Sequence, residues 1–198
     1  MKSQLDNLYR RSGITKESCF QATRRLEGHN NLSLWSLTIL AFSLIVISLL
    51  TQLYADNAFI TEHKRFLGFA MTAISIFAMV IAVVVQKSDF SLKADRFRRQ
   101  AMEINELRLS FKHLIEKDIG DNEQQKIYEE KSREYSHILN RDLIHDQIDF
   151  YVSSTQGIEH KYYSAKMLLT QFAGYYLTIL MSLFLFTWAI INTYMATL

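Results

Sequence analysis

The 198-residue chain contains no proline and a single cysteine, Cys19. Without proline, no helix of the chain carries an obligatory kink. A lone cysteine excludes both an intramolecular disulfide and a cysteine-based zinc site. The chain also has little excess of one charge sign, because 22 basic and 20 acidic residues leave a formal net charge of +2. That excess is too small to indicate nucleic-acid binding, and we expect no direct sequence-specific binding of nucleic acid.

Three long stretches of the chain carry no Asp, Glu, Lys or Arg. They are residues 28–55, 66–86 and 167–198. Each supplies the ~20 consecutive residues that a helix needs to cross ~30 Å of hydrocarbon. The sequence therefore predicts an all-α fold, a polytopic membrane protein with an N-terminal transmembrane hairpin, a cytoplasmic helical pair and a C-terminal transmembrane helix. We place the spans at residues 32–51, 66–85 and 172–191.

The alternation of apolar and charged segments divides the chain into four regions. The connection between the first two spans is short, and this makes them an antiparallel hairpin. The regions are a cytoplasmic amphipathic N-terminal region at residues 1–29, the transmembrane hairpin at residues 30–86, a cytoplasmic helical module at residues 87–157, and a helix leading into the C-terminal span at residues 158–198.

Basic residues predict how the spans are oriented. Six Lys or Arg lie in residues 1–29, two in residues 56–65 and fourteen in residues 87–166. Segments rich in Lys and Arg stay on the cytoplasmic side of a membrane. We therefore expect the N-terminus and residues 87–166 in the cytoplasm and the uncharged C-terminus on the far side.

The charged middle region has the pattern of two amphipathic helices. Apolar residues recur there at spacings of three and four, which places them on one face of a helix. They are Phe90, Ala94, Phe97, Ala101, Ile104, Leu107, Phe111 and Leu114 in the first helix, and Ile127, Tyr128, Tyr135, Ile138, Leu139, Leu143 and Ile144 in the second. Gly120 interrupts the pattern between them, and residues 153–157 predict a loop before the last helix.

The cores of the three spans contain no ionisable residue, which argues against a pump or an ion-coupled transporter. They do carry ordered faces of small and hydroxylated residues, for which two interpretations compete. Such residues let helices pack closely and hydrogen-bond across the contact at ~0.6–2 kcal/mol each. Alternatively, some of them face water in an assembled pore.

We divide these residues between the two roles. The serine face of the first span is the candidate pore lining, with Ser33, Ser36 and Ser43. The faces of the second and third spans are the candidate packing faces, with Gly68, Ser75, Ala78, Ala82, Gly174, Thr178 and Ser182. One protomer has too few spans to enclose a water-filled path, so a pore implies a homo-oligomer in the lipid bilayer.

Residues that could carry chemistry or receive a signal lie in the middle region. His145 and Asp149 are four residues apart, which suits one helical face and a hydrogen-bonded pair; a metal or acid–base site is the sharper alternative. Arg96, Arg98 and Arg99 suit a solvated face, lipid headgroups or a ligand phosphate. We find no HExxH motif, nucleophile elbow or glycine-rich phosphate loop. We therefore expect no enzyme, no catalytic residue, no metal and no cofactor.

Several segments resemble the SLATT family, the two-transmembrane effectors that associate with SMODS nucleotide cyclases and SLOG nucleotide sensors. The resemblance begins with SCFQATRRLE at residues 18–27 and NLSLWS at residues 31–36, and continues with FSLKADRF at residues 90–97. It ends with YSHIL at residues 135–139, followed by His145, Asp149 and Phe150. The extra C-terminal span is similar to the fifth subfamily. The chain has Ile144 where the family pattern has Asn before the histidine, which leaves the role of His145 open.

The resemblance implies a membrane effector of a bacterial antiphage or conflict system. Such a protein would oligomerise and permeabilise the bacterial inner membrane when a sensor linked to a reverse transcriptase or a nucleotide cyclase activates it, causing abortive infection. Two alternatives stay open. A membrane anchor would only recruit a soluble partner through the middle helices, and a lipid-directed membrane enzyme would use His145 and Asp149 as acid and base.

Overall fold

The computed structural model describes residues 2–116, 120–141 and 144–196, without the side chains of residues 2, 3, 116, 121 and 141. The elements in chain order are α1 (Lys2–Leu53), α2 (Ala58–Ser88), α3 (Phe90–Glu116), α4 (Asp121–Arg141), α5 (Gln147–Ser154), α6 (Gly157–Met167), a π-helical turn (Leu168–Phe172) and α7 (Ala173–Met195). No strand occurs in the described ranges, so the predicted all-α fold is confirmed.

Three helical stretches have the length and composition to cross a membrane. They are Gln4–Leu53, Ala58–Ile115 and Gly157–Met195, and each contains one strongly apolar window. These windows are poorly buried inside the chain, since only 11–22 % of their residues are buried. An apolar helix that the protein itself leaves uncovered is stable only in lipid or against another protein, which makes this an all-α membrane protein.

Local sequence signals explain where α2 begins and ends. The side-chain oxygen of Asn57 accepts a hydrogen bond from the backbone N–H of Phe59 at 3.0 Å, which satisfies one of the free amides at the start of α2. At the other end Asp89 has a left-handed backbone, with φ of 47°. Asp tolerates this conformation better than most residues, and it separates α2 from α3.

The chain folds into two compact units. Unit one consists of Met1–Gly28 and Phe90–Leu168, and unit two consists of His29–Asp89 and Leu169–Leu198. Helix α1 therefore contributes its first half to unit one and its second half to unit two. The N-terminal region, which the sequence analysis treated as separate, shares one core with the middle helices.

The core of unit one combines α1, α3 and α4. The predicted stripe of α3 is confirmed, because six of its eight residues are buried and the other two pack against the same core. Buried residues of this core are Leu5, Leu8, Cys19, Ala22, Leu26, Ala94, Phe97, Ala101, Ile104, Leu107, Phe111 and Tyr135. Ala22 on α1 and Ala101 on α3 are fully buried in this core.

The core of unit two combines α1, α2 and α7. Its buried residues are Leu40, Ile47, Phe59, Ile60, Leu67, Ile74 and Ala189. Large apolar side chains such as Phe69 and Phe184 are instead exposed, at 72 % and 68 %. This inside-out distribution of apolar residues is typical of a helical unit whose outer surface faces lipid.

One expectation about the second middle helix differs from the structure. Helix α4 ends at Arg141, so Ile144 lies in the segment before α5 and not on the apolar face of α4. Leu143, which the sequence placed on the same face, lies outside the described residues. The loop predicted at residues 153–157 is shorter than expected, because α5 ends at Ser154 and α6 begins at Gly157, which leaves residues 155–156 between the two helices.

Candidate functional site

A buried ion pair joins α1 to α5 in unit one. The guanidinium of Arg25 donates from Nε to Oδ1 of Asp149 and from Nη2 to Oδ2, each at 2.9 Å. Nη2 also lies 2.7 Å from Oδ2 of Asp146. The two-bond geometry between Arg25 and Asp149 is the strongest arrangement that a guanidinium and a carboxylate can form.

Burial makes the two charges of this pair depend on each other. The side chain of Asp149 is fully buried and that of Arg25 is 8 % exposed, whereas the side chain of Asp146 is 62 % exposed. Burial by itself lowers the pKa of Arg25, but the hydrogen bond and charge of Asp149, with those of Asp146, raise it above its usual value. Arg25 therefore stays charged at every physiological pH, and Asp149 depends on it for neutralisation.

The same carboxylate also fixes the start of α5. Asp146 is the residue before the first turn of α5, and its backbone N–H donates to Oδ2 of Asp149 at 3.2 Å. A carboxylate in the first turn of a helix is further stabilised by the helix dipole. Asp149 thus holds both the N-terminus of α5 and a point on α1 directly before the first span.

The other predicted signal-receiving residues are scattered. His145 is four residues from Asp149 in sequence, but the prediction that both share one helical face is wrong, because α5 begins only at Gln147. Arg98 pairs with Glu27, and Arg99 pairs with Asp95 at 2.6 Å; both arginines are largely exposed. Arg96 is exposed as well. The structure therefore brings Asp149, but not His145 or the three arginines, into the ion pair with Arg25.

The serine face of the first span is closed inside unit two. Ser33, Ser36 and Ser43 are at most 1 % exposed. The hydroxyl of Ser182 on α7 donates to Oγ of Ser43 at 2.8 Å, so a predicted packing residue meets a predicted pore residue. The hydroxyls of Ser33 and Ser36 donate to backbone carbonyls of α1 at 2.8 Å and 2.7 Å. Their pore-lining role remains a prediction.

The predicted packing residues divide into two groups. Ser182 is buried, and Ala78 is partly buried against the core of unit two. Gly68 and Thr178 are half-buried, whereas Ser75, Ala82 and Gly174 are exposed. A Cβ atom added to Gly68 or Gly174 would meet no atom within 4 Å. Three of the seven predicted packing residues are therefore exposed, and part of the small-residue faces of α2 and α7 remains uncovered in the single chain.

Two polar residues of these sites were not predicted from the sequence. Arg25 could have been found, because it lies among the buried residues Cys19, Ala22 and Leu26 at helical spacing and needs an acidic partner. His29 lies at the start of unit two, where Nε2 is 3.2 Å from Oε1 of Gln171 in the π-helical turn. No sequence signal marked that turn.

The described residues contain no group of three or more His, Cys, Asp or Glu side chains that could hold a metal ion. The arrangement instead consists of a buried ion pair in unit one and a buried hydroxyl contact in unit two. Both are of the kind that fixes helices in one packing and is costly to break.

Fold and sites together define an all-helical membrane protein in which buried polar contacts hold helices together. The chain belongs to family 5 of the SMODS and SLOG-associating 2TM effector domains, whose model matches residues 1–198. It is therefore an effector-type membrane protein of the systems that carry these domains. Comparison with curated proteins and with solved structures finds no match.

Proposed function

We propose that this protein is the membrane-permeabilising effector of a bacterial antiphage system. It resides in the inner membrane with its N-terminus and residues 87–166 in the cytoplasm and its C-terminus on the far side. The family description, with its association to conflict-system components, supports the effector role. The concentration of Lys and Arg in residues 1–29 and 87–166 supports the orientation.

The observation that carries the proposal is the closed serine face of unit two. Ser36 and Ser43 lie inside a membrane bundle, where apolar residues would pack as well and hydroxyls gain only ~0.6–2 kcal/mol each. A face that is polar and yet closed fits a resting channel. In the activated state the contact between Ser43 and Ser182 breaks, and the serine face turns to a water-filled path between protomers.

The uncovered faces of α2 and α7 supply surfaces for assembly. Ser75, Ala82 and Gly174 are small and exposed, and small residues are what helices place where they approach closely in a membrane. A homo-oligomer that buries these faces would arrange several copies of α1 around one axis. The proposal involves no catalytic step by this chain.

Unit one receives the activating signal in this proposal. The signal comes from a sensor linked to a reverse transcriptase or to a nucleotide cyclase. To move the protein from almost fully closed to almost fully open, the signal must favour the open state by ~5.5 kcal/mol. One broken buried ion pair is of comparable size, at ~3–5 kcal/mol, so the pair of Arg25 and Asp149 is strong enough to serve as a resting contact.

The test measures membrane potential and propidium uptake in bacteria that express the chain with its neighbouring genes and are challenged with phage. We expect rapid depolarisation with the wild-type chain and none with Ser36→Leu/Ser43→Leu. Thr38→Leu is the matched control, since Thr38 lies on the exposed side of the same helix, and it should depolarise normally.

Equal membrane levels of the three proteins are required for this comparison. An intact potential during a successful defence response would refute permeabilisation and favour a membrane anchor that recruits a soluble partner. Depolarisation that survives in the double serine variant would leave permeabilisation standing but remove the serine face as its lining.

A further inference from the structure

Unit one contains a cavity of about 520 Å³ that the ion pair does not use. Its described walls come from α1, α3, α4, α5 and residues 144–145 before α5. Its volume falls within the ~300–1,000 Å³ typical of small-molecule sites and is far more than ordered water alone requires.

The floor of the cavity is neutral and held by hydrogen bonds. Cys19, Gln100 and Tyr135 line it and are at most 5 % exposed. The thiol of Cys19 donates to Oε1 of Gln100 at 3.6 Å, and the hydroxyl of Tyr135 is 2.7 Å from Oγ1 of Thr15. These contacts tie α1 to α3 and α4, so the floor exists before any ligand binds.

One lining residue carries a buried polar atom without a partner. Nδ1 of His145 is inaccessible to solvent and makes no hydrogen bond with the described residues. A molecule in the cavity can therefore meet other atoms of His145, which lines the cavity, but not Nδ1.

The mouth of the cavity is apolar with a single positive charge. Ile144 is 88 % exposed and Phe150 is 39 % exposed, although both line the cavity. The side chain of Arg11 also lines it, is exposed, and forms no ion pair within the described ranges. Among the described lining residues Arg11 is basic, and none is acidic.

The geometry points to a binding site for a small aromatic molecule that carries one negative charge. Phe150, which lines the cavity and is 39 % exposed, offers an aromatic side chain for a planar molecule to pack against. Arg11 at the mouth neutralises a single anionic group. A ligand with several phosphates would leave most of its charge uncompensated by the described walls, where Arg11 is the single lysine or arginine. The site does not depend on the permeabilisation proposed above.

The test uses Cys19 as a built-in reporter, because it is the only cysteine of the chain. The full-length protein in lipid nanodiscs is treated with N-ethylmaleimide, and alkylation of Cys19 is followed by mass spectrometry. The probe is 8-anilinonaphthalene-1-sulfonate, an aromatic monoanion. A concentration of ten times its Kd should slow alkylation about tenfold, because only about one cavity in eleven stays empty.

Two variants test the walls and the charge. Asn140→Trp fills the exposed mouth and should abolish protection by the probe, whereas Leu109→Trp, on an exposed position of α3 away from the cavity, should not. Arg11→Gln should weaken the sulfonate probe roughly two- to fivefold, the usual range of an exposed ion pair. The same variant should leave N-phenyl-1-naphthylamine, which lacks the sulfonate, unchanged.

Three results would overturn the inference. The first is a Cys19 that reacts only after denaturation, since a cavity of this size must admit the reagent. The second is an alkylation rate that neither probe changes. The third is equal protection in the wild type and in Asn140→Trp, which would place the probe elsewhere.

Discussion

The buried pair of Arg25 and Asp149 allows a quantitative prediction about unit one. In Arg25→Met the side chain keeps its length and apolar contacts but loses the charge. The fully buried carboxylate of Asp149 would then have no guanidinium beside it. It would keep only the hydrogen bond from the backbone N–H of Asp146. Removing one partner of a buried pair costs ~3–5 kcal/mol, mostly because the remaining charge stays buried.

The neighbouring contact with Asp146 adds little to this figure. Asp146 is 62 % exposed, so its share is that of a surface pair, at ~0–1 kcal/mol. The loss of stability therefore acts mainly on the contact between α1 and α5. We expect the backbone amides of α5 to lose protection from hydrogen exchange, while those of α3, which is held by the apolar core, change much less.

The measurement is native-state hydrogen exchange by mass spectrometry on the full chain in nanodiscs. Arg24→Met is the matched control, because Arg24 is exposed on the adjacent position of the same helix and should change stability by no more than ~0.5 kcal/mol. A loss of ~3 kcal/mol corresponds to about 150-fold faster exchange of amides that open through this contact. Equal exchange of α5 in Arg25→Met and Arg24→Met would refute the reasoning.

Two further predictions concern the stability of unit one, measured as the shift in thermal unfolding of the purified chain. Phe111→Ala should destabilise it by ~3–5 kcal/mol because Phe111 is fully buried. Leu109→Ala should change stability little, because Leu109 is 58 % exposed on the same helix. Similar shifts in the two variants would contradict the core as described. Gly157→Ala should lower the free energy of unfolding by ~1–2 kcal/mol, because φ is +64° there and a residue with a side chain is strained in that conformation. Gly120→Ala, at a position without positive φ, is its control, and a larger shift in the control would place the strain elsewhere.

Composition and periodicity were sufficient to predict much of the fold. Uncharged stretches of more than 20 residues identified the membrane helices, because charge is costly in hydrocarbon and chains that fold in water seldom leave such lengths uncharged. The stripe of α3 was predictable for the same kind of reason, since its apolar residues repeat at helical spacing on one side only. Both signals are local, and neither depends on which helix packs against which.

The ion pair and the cavity were not predictable in that way. Arg25 and Asp149 are 124 residues apart, and their contact exists only once α1 and α5 are packed in one unit. The position of His145 depended on where α4 ends, and helix ends are poorly defined by a charged sequence without glycine or proline nearby. The described cavity wall likewise collects residues from five segments that no single motif joins.

The buried side of α1 shows why the sequence divided this helix too early. From its first turns to the end of the first span, buried positions follow a seven-residue repeat, and only Thr15 among them is half-buried. They are Leu5, Leu8, Ser12, Thr15, Cys19, Ala22, Leu26, His29, Ser33, Ser36, Leu40, Ser43 and Ile47. A repeat of seven keeps one seam of a helix facing its partners over many turns.

That seam is hard to detect by hydrophobicity because many of its members are small or hydroxylated. A serine at such a position is buried because its place in the repeat faces the partner helix. Its small side chain lets that helix come close, as α7 does where Ser182 contacts Ser43. The same residues that suggested a pore are therefore members of one uninterrupted packing seam. A seam with so few large apolar side chains gains little from apolar burial, so close packing and hydroxyl contacts supply a larger share of its stability.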